Sequence, residues 1–571
     1  MHMDDFDVVV IGAGIYGIAF ARFYLEVHPE CRLIILDKEK SLGGVWCAAR
    51  SFPTFRSQIS TGLVGFADAP IKPPADLYHD FVDASCILEY LESYCDAHSY
   101  NGKTILERMV FSFTVDKVDK SSGQWYIHGR SAEQDGETVF RSMKLVVATG
   151  PYSTPNMPSF PGQADFNGPI IHQKDFGSSE VLPSPNIQHV TVLGAGKSAV
   201  DMVYASAKAG KTTSWVINKS GTGPPSLTVS KPNKHFKNAS EPGSTRILGY
   251  LGLSYYTSDN WCTWFLYRTR LGRWLTSLVW KAATAGPRKI FDSGIEAGPT
   301  FQHLRPTLDI FWGAGNVGLI QFPDFWETVA KNVTIHRADV TLLSQKSVHL
   351  SDGTEIHADT LCCGTGWKPS NNTIFTIPQL VSLGLPHPLE DDPPQERALW
   401  SELMEQSLPE ILHKFPILAN PPYPAKEQRV TPYRLWNHMA PVEEAASTNH
   451  TIVILGHITV PNGFRPADVQ AIWATAYLDN ALPVPSLEDT RRKVAKRLVW
   501  NQRRYIKGGA LGNGLLFDGM MYTDHLLNEV GLKSHLGKGW WARMFGCAYA
   551  EDLKGCKDEY LAKFHGRQNA R

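Results

Sequence analysis

The chain has 571 residues, enough to bury a large core and to divide into two or three domains. With 43% hydrophobic and 20% charged residues it reads as a soluble globular protein, and Lys+Arg and Asp+Glu both count 56. Net charge therefore points neither to nucleic acid nor to an acidic surface as a partner. Nine scattered cysteines include no C-x-x-C pair, which argues against a redox dithiol, a zinc site or a secreted disulfide framework. The acidic start (Asp4, Asp5, Asp7) enters a strand at once, so no signal peptide is expected, and a cytosolic protein is. Trp261 to Trp280 comes nearest to a membrane span, but Arg268, Arg270 and Arg273 interrupt it; a buried or interfacial helix suits it better.

Phe6 to Gly17 is a short apolar run that breaks into glycines and continues as a helix, and Arg32 to Asp37 is a second apolar run ending in an acid. This is the strand–turn–helix–strand order of a dinucleotide fold. Gly12 permits the tight turn, Gly14 lets backbone approach a pyrophosphate, Gly17 lets the helix lie against the strand, and Asp37 would take a ribose hydroxyl. A second copy runs from His189 to Asp201, with Gly194 and Gly196 in place and Ala199 for the third glycine. Its next strand, Thr213 to Lys219, ends in a base. An acid there would repel a 2′-phosphate, whereas Lys219 pairs with one, which favours NADPH; the alternative is an ordinary surface lysine. Two further apolar runs end in Thr-Gly turns, Lys144 to Gly150 and Ala358 to Trp367. Their order predicts that the second fold is inserted into the first, leaving its sheet after Gly150 and returning near Asp359.

Together with Gly43-Gly44-Val45-Trp46, the stretch Phe166-x-Gly168-x-x-x-His172-x-x-x-Phe176 and the run Ile454 to Phe464 followed by Gln470-Ala471, these motifs resemble the flavin-containing monooxygenase superfamily, including its Baeyer–Villiger branch and fungal secondary-metabolism relatives. The resemblance implies FAD and NADPH as cofactors. It implies flavin contacts at Gly12, Gly14, Ile15, Tyr16, Gly17, Asp37, Lys38, Gly44, Val45, Trp46, Gln58, Ala148, Thr149 and Gly150. NADPH contacts are implied at Gly194, Gly196, Lys197, Ser198, Ala199 and Lys219, and a further cofactor turn at Gly364, Thr365 and Gly366. His172 reads as structural, bridging the two folds. The family's chemistry passes hydride from NADPH to FAD, and a C4a-(hydro)peroxyflavin then transfers one oxygen atom to N, S or an activated carbon. The aromatic end of the Phe166–Phe176 motif is closer to the N- and S-oxygenating branch than to Baeyer–Villiger enzymes, which remain an alternative.

One departure concerns the amide that contacts the flavin adduct in relatives. The family often carries Asn in a stretch like Leu-Arg-Thr-Asn ahead of Asp-x-Pro; here it is Phe55-Arg56-Ser57-Gln58, ahead of Asp68-Ala69-Pro70. Gln58 keeps the amide on a longer arm, either stabilising the adduct or shifting the balance to a dehydrogenase or oxidase that transfers no oxygen. Arg56 would balance charge there or form a surface salt bridge. No metal site is expected. The expected architecture is α/β: two Rossmann-like domains, the NADPH domain inserted into a discontinuous FAD domain, with a helical insertion and a C-terminal cap. The boundaries are 1–165 and 346–485 for the FAD domain, 166–345 for the NADPH domain with an insertion at about 220–300, and 486–571 for the cap. Tyr255, Tyr256 and Trp264 in the insertion would cover an organic substrate, or the insertion is an extra helical hairpin or a dimer contact.

Overall fold

A computed structural model describes residues 2–72, 74–133, 136–221, 223–313, 316–369, 374–424, 428–506 and 508–566. Strand β1 (His2–Ile11) leads into helix α1 (Ile15–Val27) and strand β2 (Leu33–Leu36). Val8 to Val10 and all of β2 are buried, as continuous apolar runs must be when helices cover both faces of a parallel sheet. The chain then forms β3 (Arg56–Ser60), which pairs with Phe81–Asp83 outside the main sheet, and β4 (Thr138–Val147). β1 lies between β2 and β4, parallel to both, with Val8 opposite Leu33 on one side and Lys144 on the other. A hairpin, Phe113–Ser121 and Gln124–Ser131, extends β4 in the antiparallel sense.

The second fold starts with β5 (His189–Leu193), α2 (Lys197–Lys208) and β6 (Thr212–Val216). After it come the helices α3 (Trp261–Arg268) and α4 (Arg270–Arg288), then β7 (Val317–Ile320), β8 (Val333–His336) and β9 (Thr360–Cys363). Its sheet is all parallel, in the order Ile170–His172, β9, β5, β6, β8. This corrects the expected point of return to the first sheet. β9 pairs with β5, Val192 opposite Cys362, and so completes the second sheet. The first sheet is rejoined only at β10 (Ile452–Ile454), which lies on β4 with Leu145 opposite Ile452. The outgoing Thr154–Pro155 and the returning Trp367–Lys368 pair side by side and link the two folds.

Helix α5 (Phe464–Leu478) follows β10 and is buried at every residue, its polar Arg465, Asp468 and Gln470 included. The helix Leu487–Arg504 and the insertion share one core, with Leu253, Tyr267, Trp280, Phe311, Phe415 and Trp500 at its centre. The last helices, Gly519–Val530 and Lys554–His565, pack on the flavin-type fold, where Tyr560 meets Phe23 edge-on at 5.2 Å between ring centres.

Candidate cofactor and active site

The first glycine turn is built by close approach of backbones. Gly12 has φ +117°, and a Cβ there would collide with the Ala148 carbonyl, so β1 can reach the end of β4 only through glycine. Gly14 and Gly44 face each other, a Cβ on Gly44 lying 3.1 Å from the Gly14 Cα. α1 begins at Ile15 with no side-chain cap on its first-turn amides, which leaves them for an anion. Asp37 closes the turn: its Oδ2 accepts from the Ala13 amide at 2.6 Å and its Oδ1 from the Glu39 amide at 2.8 Å, while burial pushes its carboxyl pKa up. Each oxygen keeps a lone pair for a ribose hydroxyl. The buried Tyr16 hydroxyl has no hydrogen-bond partner among the described residues, and burial raises its pKa, so a donor waits beside the turn. The bare backbone cradle, the open helix start, the acid and the unpartnered donor fit a dinucleotide. Lys38 is exposed, with its Nζ 3.4 Å from the Ser153 carbonyl.

Val45 sits in the single turn Gly44–Trp46, and Trp46 begins an aromatic ladder. It stacks on Phe55 (5.4 Å), Phe55 on Phe52 (5.2 Å), and Phe52 meets Phe176 edge-on (5.1 Å). The Thr149 hydroxyl lies 3.4 Å from His457, whose other nitrogen meets the Tyr433 hydroxyl at 3.3 Å. Burial pulls the His457 pKa down to about 4, so this chain is neutral.

The second turn repeats the first. Gly194 has φ +136°, and its Cβ would collide with the Gly364 carbonyl; Gly364 in turn lies against Ala199, with its own Cβ position 2.7 Å from that side chain. Gly364, Thr365 and Gly366 thus stand to Gly194 as Ala148, Thr149 and Gly150 stand to Gly12. They belong to the second fold and not to the first. Gly196 precedes α2, whose first residues Lys197 and Ser198 carry no side-chain cap from it. His172 is buried and donates from Nε2 to the Gly366 carbonyl at 2.8 Å, with its Nδ1 accepting from the Lys174 amide. Burial lowers its pKa. The residue pins the second turn to the crossing strands and holds no free proton for catalysis.

Gln58 lies where the two folds meet. Its Oε1 accepts from the Leu319 amide of β7 at 2.9 Å, and a Cβ on Gly318 would lie 3.1 Å from both Gln58 Oε1 and Lys197 Cδ. Gln321 locks this junction: its Nε2 donates to the carbonyls of Arg56 (2.7 Å) and Ser57 (2.5 Å), and its Oε1 accepts from Lys197 Nζ (2.6 Å). Lys197 also pairs with Asp201 one turn along α2. Burial pushes the Asp201 pKa up, with Lys197 opposing. Neither Gln321 nor Asp201 was expected from the sequence, since no motif joins polar residues so far apart. Arg56 is tied to Asp83 (Nε to Oδ1, 2.6 Å) and to the Gln321 carbonyl (3.2 Å), with its guanidinium 4.4 Å over the Phe322 ring. The salt bridge among its two expected roles is thus present.

Lys219 is exposed, lies three residues beyond β6 instead of ending it, and makes no ion pair among the described residues. Arg337, directly after the neighbouring strand β8, is also without an ion pair there, and burial lowers its pKa. The side-chain oxygen of Asn218, next to Lys219 in the chain, is buried and has no hydrogen-bond partner among the described residues. Sequence reasoning missed Arg337 because it follows a strand with no motif of its own. The expected substrate cover is largely packing: Tyr255 donates to the Lys493 carbonyl (3.2 Å) and rests on Trp500, and Tyr256 bonds His438 (2.8 Å) and packs on Tyr522. Trp264 is 57% exposed beside a cavity of about 220 Å³ that Asn260, Arg268 and Lys414 also line.

The family model for flavin-binding monooxygenase-like proteins matches residues 6–230. An FAD-dependent monooxygenase of Pyrenophora dematioidea is 31% identical over 93% of this chain and 99% of its own. The chain belongs to the flavin-containing monooxygenase superfamily. A further relative, the FAD-dependent monooxygenase DEP4 of Fusarium langsethiae, is 30% identical over 100% of this chain and 97% of its own. The fold is that of cyclohexanone monooxygenase (TM-score 0.58, 16% identity, 92% of this chain and 97% of that one). It is shared with S-allyl-L-cysteine S-oxygenase of Allium sativum (TM-score 0.51, 14% identity, 99% and 94%). The protein is therefore an FAD-dependent monooxygenase, an oxidoreductase. Among its described residues no helix is long and apolar enough to cross a membrane.

Proposed function

We propose that this flavin-containing monooxygenase consumes NADPH and inserts one atom of O2 into a small or medium organic molecule at N, S or an activated carbon. The observation that carries the reading is the repeated turn. Gly194, Gly364 and Ala199 reproduce the cradle of Gly12, Ala148 and Gly17, and the chain carries Lys219 three residues beyond β6, with Arg337 directly after the neighbouring β8, and no acid at the end of β6. FAD, when bound, supplies the hydride-accepting and oxygen-activating chemistry. The first turn's amides and Asp37 hold its pyrophosphate and ribose. The second turn's amides, Lys219 and Arg337 hold the nicotinamide dinucleotide and its 2′-phosphate. Gln58, anchored by the Leu319 amide on its oxygen, keeps its NH2 group as a hydrogen-bond donor at the junction of the folds. A donor held in that way suits oxygenation better than a dehydrogenase or oxidase. The motif Phe166 to Phe176, which ends in phenylalanine followed by Gly177, resembles the N- and S-oxygenating branch more than Baeyer–Villiger enzymes. The test incubates FAD-loaded protein with a thioether, a tertiary amine and a cyclic ketone, with NADPH or NADH. Sulfoxide or N-oxide formed with NADPH at the lower KM is the expected result. Lactone as the sole product moves the protein to the Baeyer–Villiger reading, and equal KM values for the two nucleotides remove the role given to Lys219 and Arg337.

A further inference from the structure

Helices α3 and α4 turn their apolar side to water. α4 buries Gly272, Thr276, Trp280, Thr284 and Pro287, a stripe at spacings of four and three residues that faces the protein. Trp280 there meets Phe517 at 4.9 Å and Phe311 at 5.5 Å. The outward arc carries Leu271, Trp274, Leu275, Leu278 and Val279, exposed by 57, 59, 36, 51 and 41%. Trp261 and Trp264 on α3 add 79 and 57%. A helix packed on a protein in water orients the other way, with its large apolar residues inward.

Charge accompanies this face. At 3.6 residues per turn the exposed Arg270 and Lys281 fall along one edge of the exposed arc, whereas the half-buried Arg273 falls on the packed side between Trp280 and Thr284. These three and Arg268 make no ion pair among the described residues, and the sequence has no acid between Asp259 and Asp292. In a chain with 56 residues of each sign, this concentration is local.

We propose that the α3–α4 face docks on an anionic lipid surface. The helices lie in the headgroup plane, with the tryptophans at the level of the interface and the exposed Arg268, Arg270 and Lys281 against lipid phosphates. α4 cannot insert lengthwise, because its inner stripe is packed on the protein. Lipid fits better than a second copy of this chain, which would bring one cationic edge against another.

The test floats full-length, FAD-loaded protein with vesicles of phosphatidylcholine alone or with about 30% phosphatidylserine added. The expected result is co-flotation with the anionic vesicles that weakens as salt is raised. Trp274→Ser with Leu278→Ser lowers it by about tenfold or more, with flavin content unchanged as the check on folding. Leu271→Ser with Leu275→Ser does the same, and Arg270→Gln with Lys281→Gln removes the preference for anionic lipid. The proposal is overturned by no flotation at low salt, or by flotation that these substitutions leave intact. It is also overturned by a lipid-free dimer that Trp274→Ser with Leu278→Ser converts to monomer, which gives the face to a second copy.

Discussion

Adding one methyl group at either glycine turn separates the two nucleotide sites. In Gly194→Ala the new Cβ meets the Gly364 carbonyl carbon at 2.8 Å, and the residue must hold φ +136°. Holding an L-residue there costs about 1–2 kcal/mol. Overpacking against backbone that cannot rotate away adds about 1–3 kcal/mol. If the turn relieves this by shifting, roughly 2–5 kcal/mol of nucleotide binding is lost, about thirtyfold to several-thousandfold in affinity. The same calculation holds for Gly12→Ala, whose Cβ would lie 2.8 Å from the Ala148 carbonyl carbon and 3.3 Å from the Thr149 nitrogen. Gly123→Ala is the control: φ is +79° but nothing lies within 4 Å, so it bears the backbone strain alone. The assay reads bound flavin per chain by visible absorbance and the KM for NADPH. Gly12→Ala should purify depleted of FAD, Gly194→Ala should keep FAD and lose NADPH saturation, and Gly123→Ala should keep both. Loss of FAD from Gly194→Ala with retention in Gly12→Ala would refute the assignment of the two turns.

Lys219→Ala and Arg337→Ala should each raise the KM for NADPH about tenfold and leave that for NADH unchanged, since each removes one charged hydrogen bond to a 2′-phosphate; steady-state kinetics with both nucleotides check it. Gln321→Leu strands the Arg56 and Ser57 carbonyls and takes from the Lys197 ammonium one of its acceptors. It should lower stability by about 2–4 kcal/mol in urea and release more hydrogen peroxide per NADPH, as Gln58 loses its fixed place. Burial beside Asp68 pushes the Asp468 carboxyl up to about 7, with Arg22 opposing, and its Oδ2 accepts from the Ala67 amide at 2.8 Å. A carboxyl raised on folding stabilises the fold while protonated, so stability should fall as pH rises from about 4 through 7, by up to about 4 kcal/mol. Asp468→Asn keeps the acceptor and should flatten that slope in urea titrations between pH 5 and 8; an unchanged slope assigns it to other groups.

The parts of the site that rest on local backbone chemistry were legible in the sequence. Gly12, Gly17 and Asp37 have fixed spacings because strand, turn and helix have fixed geometry, and Gly194 repeats them. The membership of β9 was not legible. Cys362 and Cys363 are as buried as Val146 and Val147, and both runs end in Thr-Gly, so nothing local states which parallel sheet receives them. The Gln321–Lys197–Arg56 junction was hidden for a different reason: it joins residues 124 and 265 positions apart, and each alone reads as a surface polar residue. The run Trp261 to Trp280 reads in the sequence as a buried or interfacial helix. A period does not say which side faces the protein, and the packing of Trp280 with Thr276 and Thr284 turned the larger apolar side out.

The central claim is most directly tested by supplying ¹⁸O2 and NADPH to the FAD-loaded protein with a thioether and counting label against reductant. The account predicts a single ¹⁸O atom in the product for each NADPH oxidised, with little hydrogen peroxide. NADPH oxidation that yields only labelled hydrogen peroxide across thioether, amine and ketone would contradict it.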